Sequence, residues 1–126
     1  METANRSMRV EGATSPTLSD GEVATVRRRP MLVLIPMRDC SHVVLTWHYR
    51  AAIGRASWEL PASRLGHDES LNDAAVRSCL EHFGLMPGCV QHLCGLHPVP
   101  KCCDEEIIFC RVVTDVSWVM HEPPTQ

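Results

Sequence analysis

Residues 58–85, WELPASRLGHDESLNDAAVRSCLEHFGL, constrain the fold more than any other stretch. They read as a short strand, a glycine-containing loop and one capped amphipathic helix. Trp58-Glu59-Leu60 suits an extended chain, and Pro61, which has no ladder donor, stops it. Ser63–Glu69 reads as a loop. Ser70 is an N-cap, and Asp73 three residues on resembles a capping box with Asp in place of Glu. Leu71, Ala75 and Cys79 share one apolar stripe, with Val76, Leu80 and Phe83 beside it. Gly84 is the left-handed terminator, so the pattern predicts a helix to about Phe83. Its polar face carries Glu81 and His82.

The remaining chain is mostly strand. Met8–Glu11 and Val23–Val26 read as a hairpin whose turn signal is Asp20-Gly21. Arg27, Arg28 and Arg29 follow. They suit a solvated edge, and an anionic partner is the functional option. Met31–Met37 is a near-continuous apolar run, which predicts a strand buried on both faces. His42–Tyr49 is β-branched and aromatic and is expected to pair antiparallel with it. Cys89–Leu96 and Ile107–Val113 read as two more strands, and Val116–Met120 as a last one. The order β-β-β-β-α-β-β suggests an α+β or α/β sandwich. No internal repeat or low-complexity block interrupts it. The expected layout is a disordered stretch over 1–7, a single domain over 8–120 and a loose tail over 121–126.

Bulk properties exclude some functions. A chain of 126 residues fits one small domain. No apolar run nears the roughly 20 residues of a membrane span. The first twenty residues have no apolar segment of a secretory signal. Seven cysteines, an odd count without such a signal, read as reduced thiols of an intracellular protein, cytoplasmic or organellar. Those in apolar runs are expected to pack as small hydrophobes. A net charge of −3 argues against non-specific nucleic-acid binding, with a local basic patch left open. His92, Cys94, His97, Cys102 and Cys103 contain zinc-ligating residue types. His92 and Cys94 would share one strand face, but the spacing is not that of a recognised zinc motif, and a thiol-rich strand and loop is the plainer reading.

Several separated motifs occur in a fixed order. Ser63 is followed after five residues by Glu69, after seven more by Arg77-Ser78-Cys79, then by Glu81-His82, Gly84 and Leu85. His48-Tyr49-Arg50 and Trp58-Glu59-Leu60-Pro61-Ala62 precede the series, and His97-Pro98-Val99-Pro100 through Cys103-Asp104-Glu105 follows it. This arrangement resembles the Nudix hydrolase family, and within it the ADP-ribose and nucleotide-sugar pyrophosphatases, over roughly residues 8 to 115. The family's box is Gly, five residues, Glu, seven residues, Arg-Glu, an aliphatic, any residue, Glu-Glu, any residue, Gly, an aliphatic. Here Ser63 stands for the first Gly, Ser78 for the Glu after Arg, and His82 for the last Glu.

The resemblance implies an α+β Nudix fold, an α/β/α sandwich with a mixed sheet and one box helix, truncated at the C-terminus. It implies Mg²⁺ or Mn²⁺ if the chain is active and no cofactor otherwise. Mg²⁺ wants oxygen ligands in octahedral geometry, and positions 78, 81 and 82 share a helix face at which the family places three glutamates. Of these, Glu81 alone is a carboxylate. The ligand set left is the Ala62 carbonyl, Glu81 and His82, with Glu81 and Glu69 as the catalytic carboxylates. The family position of Glu69 chiefly pairs with that of Arg77 to brace the loop. Among candidate substrate-binding residues, Arg50 matches a family arginine that contacts the phosphate or ribose, Trp47 and Trp58 could stack a base, and Glu105 matches a family loop acid, although a surface arginine, core aromatics and a solvated strand-start acid are ordinary alternatives. The family's late catalytic base has only Glu122 as a counterpart, and its C-terminal helix has none.

The expected function is a divergent relative of the ADP-ribose pyrophosphatases with impaired or lost catalysis, acting as a nucleotide-binding or assembly module. The alternative is an active metal-dependent hydrolase cleaving ADP-ribose or another nucleoside diphosphate derivative. Partners would be such a derivative, a second copy joined through Val10 and Val23–Val26, or a larger assembly, with no membrane.

Overall fold

Met31–Asp39 is the strand on which the sheet is built, and its side chains alternate. Leu32, Leu34 and Pro36 are buried, while Met31, Val33, Ile35 and Met37 are half-buried. The structure is a computed structural model and describes residues 8–14 and 22–114. In chain order the elements are β1 (Met8–Thr14), β2 (Glu22–Arg28), β3 (Met31–Asp39), β4 (His42–Val43) and β5 (Thr46–Arg50). They continue as β6 (Arg55–Glu59), β7 (Ala62–Arg64), α1 (Leu71–Phe83), β8 (Cys89–Leu96) and β9 (Ile107–Val113). The expected strand at Val116–Met120 and the candidate base Glu122 lie outside the described residues.

β3 is central to a mixed five-stranded sheet. β9 runs parallel along one edge, from Met31↔Ile107 to Met37↔Val113, and β8 pairs antiparallel beyond it. β7 and β4 share the other edge, at Val33↔Ala62 and Met37↔Val43. A parallel pair needs a long crossover, and α1 lies in the connection between β3 and β9. The helix covers one sheet face. Leu32, Leu34, Cys110 and Val112 pack there on Ala74, Ala75 and Cys79, all fully buried. The architecture is therefore α+β, one helix on a mixed sheet. β1–β2 and β5–β6 form separate two-stranded sheets.

The helix matches its expected limits because its signals are local. Ser70 Oγ accepts the Asp73 N–H at 3.1 Å. Gly84 adopts φ 68°, which a side chain would disfavour, and donates its N–H to Leu80 O at 2.9 Å. Ser70→Ala should cost about 1 kcal/mol, read as a lower urea midpoint with an unchanged slope.

Three expectations are corrected. β3 is buried on one face, since only one face meets α1. The His42–Tyr49 strand divides: β4 stays on β3, while β5 turns away to pair with β6. Buried Val44 marks the break, and its N–H donates to Pro36 O at 2.8 Å. Ser63 and Arg64 are strand rather than loop, because the chain resumes pairing with β3 after Pro61. Among the described residues, no helix is long and apolar enough to cross a membrane.

Candidate functional site

Arg77 is the hub of the region ahead of α1. Its Nε donates to Glu69 Oε2 at 2.8 Å and its Nη2 to Glu69 Oε1 at 2.9 Å, a bidentate pair. The same Nη2 reaches Arg64 O at 2.8 Å, and Nη1 reaches Glu81 Oε1 at 3.1 Å. Glu69 Oε1 also accepts the Gly66 N–H at 2.8 Å. A Cβ at Gly66 would stand 3.1 Å from that oxygen, so the small residue permits the close approach. Arg77, and next the Gly66 N–H, hold the Glu69 carboxyl down at about 2 against an ordinary 4.5. Glu69 in turn pushes the Arg77 guanidinium up. Both Glu69 oxygens are thus committed to bracing the loop.

Ser78 is fully buried. The sequence reading sets it on the polar face with Glu81 and His82; the structure turns it inward, beside the core. Its Oγ lies 3.0 Å from Ser63 Oγ. These are two of the positions at which the sequence departs from the box, and they touch. A buried hydroxyl needs a partner, and each serine supplies one for the other.

Glu81 is exposed and paired with Arg77. His82 is half-buried beside Phe83, ring centroids 6.3 Å apart. Ala62 sits at the start of β7, opposite Val33. Among the described residues, no three His, Cys, Asp or Glu side chains gather as a metal site. A donor set of one carboxylate already bound to a guanidinium, one imidazole and one carbonyl does not fit a hard divalent cation.

The substrate-matching residues fall in two other places. Arg50 and Trp58 lie on β5–β6. Arg50 Nε donates to both Glu59 oxygens at 2.9 Å, and Nη2 also contacts Glu59. Ser57 Oγ joins the same carboxylate at 2.6 Å. Arg50 first, then Ser57, hold the Glu59 carboxyl at about 2. The Arg50 fork is therefore filled by the chain's own anion. Trp58 is 45% exposed and stands 4.9 Å from Trp47, rings tilted by 58°. Glu105 is bonded by Arg64 Nη1, which also reaches Arg29 O at 2.9 Å. Arg64 was not a candidate from sequence; a lone arginine before a glycine loop gives no signal of contacts 35 and 41 residues away.

The thiol–imidazole group is not assembled. β8 and β9 shift register between His92↔Cys110 and Cys94↔Phe109. Cys110 and Phe109 point to opposite faces, so their partners do too. The expectation that His92 and Cys94 share a face is corrected by this bulge. His97 Nδ1 instead meets Glu105 O at 3.1 Å. Of the cysteines, Cys79 and Cys110 are buried as small hydrophobes, and burial pushes the Cys79 thiol up to about 11. Cys40, Cys89, Cys94 and Cys102 are exposed.

The fold, one helix on a mixed sheet, has a counterpart among solved structures. The chain is similar to a solved ADP compounds hydrolase, with a TM-score of 0.66 over 92% of this chain and 71% of that one. Identity is 18%, and the likeness is one of fold. It supports an α+β fold like that of the hydrolase. No family model and no curated protein matches the chain.

Proposed function

We propose that this chain is a divergent Nudix-fold protein of the ADP-ribose pyrophosphatase type, with hydrolysis impaired or lost, acting as a nucleotide-binding or assembly module. One observation carries the reading: Ser63 and Ser78 satisfy each other at 3.0 Å where the resemblance calls for a glycine and a ligand glutamate. Catalysis by metal-activated water needs charge neutralisation from a full ligand set. Here Glu69 serves the loop and Glu81 is paired to Arg77. The second face of β3, with Met31, Val33, Ile35 and Met37 half-buried, suits the further layer of an α/β/α sandwich. The edge of β1, where Val10 is 67% exposed, suits a second copy or an assembly partner.

The second reading, an active hydrolase, draws on one contact. Arg77 holds Glu69 and Glu81 on a single guanidinium, so an ion displacing Arg77 would meet two carboxylates. Mg²⁺ or Mn²⁺ in that place would supply the charge neutralisation that hydrolysis needs. Incubation with ADP-ribose and either ion separates the readings. The expected result is no release of AMP above the metal-only background. Turnover that Glu81→Gln abolishes would establish the hydrolase instead.

A further inference from the structure

Arg27, Arg28 and Arg29 are half-buried. With Arg9, His67 and Asp104 they line a cleft of about 290 Å³. Its walls come from three segments distant in sequence: the β1–β2 hairpin, the loop ahead of α1 and the loop leading to β9. The segments are tied together. Val26 N–H donates to Cys102 O at 2.6 Å, and Asp104 N–H donates to Val26 O at 3.1 Å. Arg28 N–H donates to Asp104 Oδ1 at 2.8 Å. The loop carrying His67 is the one braced by Glu69 and Arg77.

The charges around the cleft do not balance. Arg9 and Arg27 stand directly opposite each other across β1–β2, an unfavourable like-charge pair. Glu11 lies 2.7 Å from Arg27 Nε and 3.6 Å from Arg9 Nη2. Asp104 serves Arg27, and Glu105 is held by Arg64. Among the described residues, three carboxylates thus face the five guanidinium groups of Arg9, Arg27, Arg28, Arg29 and Arg64, and two positive charges remain over. Two of the donors are also orphaned. Arg28 Nε and Arg29 Nε are buried without a hydrogen-bond partner. The nearest carboxylate oxygen to Arg28 Nε, on Glu105, is 3.6 Å away, too far for a hydrogen bond.

We propose that this cleft binds the phosphate dianion of a small phosphorylated molecule. Guanidinium forks match phosphate oxygens in charge and geometry, and two surplus positive charges match one dianion. The volume exceeds a bare phosphate, which points to a phosphate monoester. A net chain charge of −3 disfavours an extended polyanion such as nucleic acid. The proposal goes beyond the reading of the box helix: it needs neither Glu81 nor a metal, so turnover of ADP-ribose would leave it standing.

Titration of the full chain with inorganic phosphate, AMP and adenosine at low ionic strength, followed by calorimetry, tests it. Phosphate and AMP should bind one to one and adenosine should not; tighter binding of AMP identifies a monoester as the source. Arg29→Gln should weaken binding about tenfold. Arg9→Gln, at the exposed rim, should weaken it less, and Arg55→Gln on the separate hairpin should leave it unchanged. Thermal melts establish that each variant is folded, and Arg9→Gln carries the test if Arg29→Gln is not. The proposal is overturned if neither phosphate nor AMP binds below about 10 mM. It is equally overturned if the folded Arg29 and Arg9 variants bind as the wild type does, or if only a long oligonucleotide binds.

Discussion

Ser78→Glu is expected to destabilise the protein by about 3 kcal/mol or more at pH 7, the cost of a buried charge with no counter-charge. The Ser78 side chain is fully buried, and its hydroxyl is hydrogen-bonded to that of Ser63. The adjacent cation, Arg77, is engaged with Glu69, Arg64 O and Glu81. For a domain of this size the melting temperature should fall by more than about 10 °C. Burial raises a carboxyl pKa, so the folded variant binds its proton at higher pH than the unfolded chain does. Its deficit should therefore shrink as pH falls through the raised value, the opposite of ordinary acid unfolding. Adding Ser63→Gly opens the space beside the new carboxylate and should recover part of the loss, a coupling readable from a double-mutant cycle. Mn²⁺ should then raise the melting temperature of the double variant by mass action and leave the wild type unmoved. A Ser78→Glu protein that melts within about 2 °C of the wild type would show this position open to solvent, and the reading of a site closed by two hydroxyls would fall.

The parts of this fold that depend on near neighbours are legible in the sequence. Ser70, Asp73 and Gly84 set the helix within a few residues of themselves, and their bonds lie where the pattern puts them. The limits of β8 and β9 follow from apolar runs between turn residues. What fails is whatever depends on a distant partner. Met31–Met37 reads the same whether one layer or two cover it. The break at Val44 follows from β5 finding β6 rather than β3. Pro61 ends one strand, and nothing local announces that Ala62–Arg64 will pair with residues about thirty positions earlier. The site divides the same way. Glu69 and Arg77 are eight residues apart and their pairing is expected. Ser63 and Ser78 are individually visible as departures, yet their contact needs β7 to lie beside α1. The arginine cleft is the extreme case, since Arg9, Arg29, His67 and Asp104 meet only once three loops are placed.

Arg77→Met should remove about 2–3 kcal/mol of stability at pH 7. The substitution keeps much of the aliphatic stem and deletes the bonds to Glu69, Arg64 O and Glu81. Charge-assisted hydrogen bonds of this kind contribute about 1.5–3 kcal/mol each when well buried. The guanidinium is 36% exposed and Glu69 18%, so solvent screening holds the total well below the sum. The pH dependence identifies the cause. Glu69 titrates at about 2 in the folded protein against an ordinary 4.5. A depressed carboxyl contributes stability that is fully present above its unfolded value and lost as pH falls toward its folded one. The gap between wild type and variant in urea melts should therefore hold constant from pH 7 to about 5 and narrow between about 4.5 and 2. Glu59, also held at about 2, loses its contribution over the same window in both proteins, so it cancels from the difference. A gap that stays constant down to pH 2.5 would assign the loss to packing rather than to the Glu69 pair. The brace also fixes the loop that carries His67 into the arginine cleft, so the variant should bind phosphate more weakly although none of the cleft's own arginines has changed.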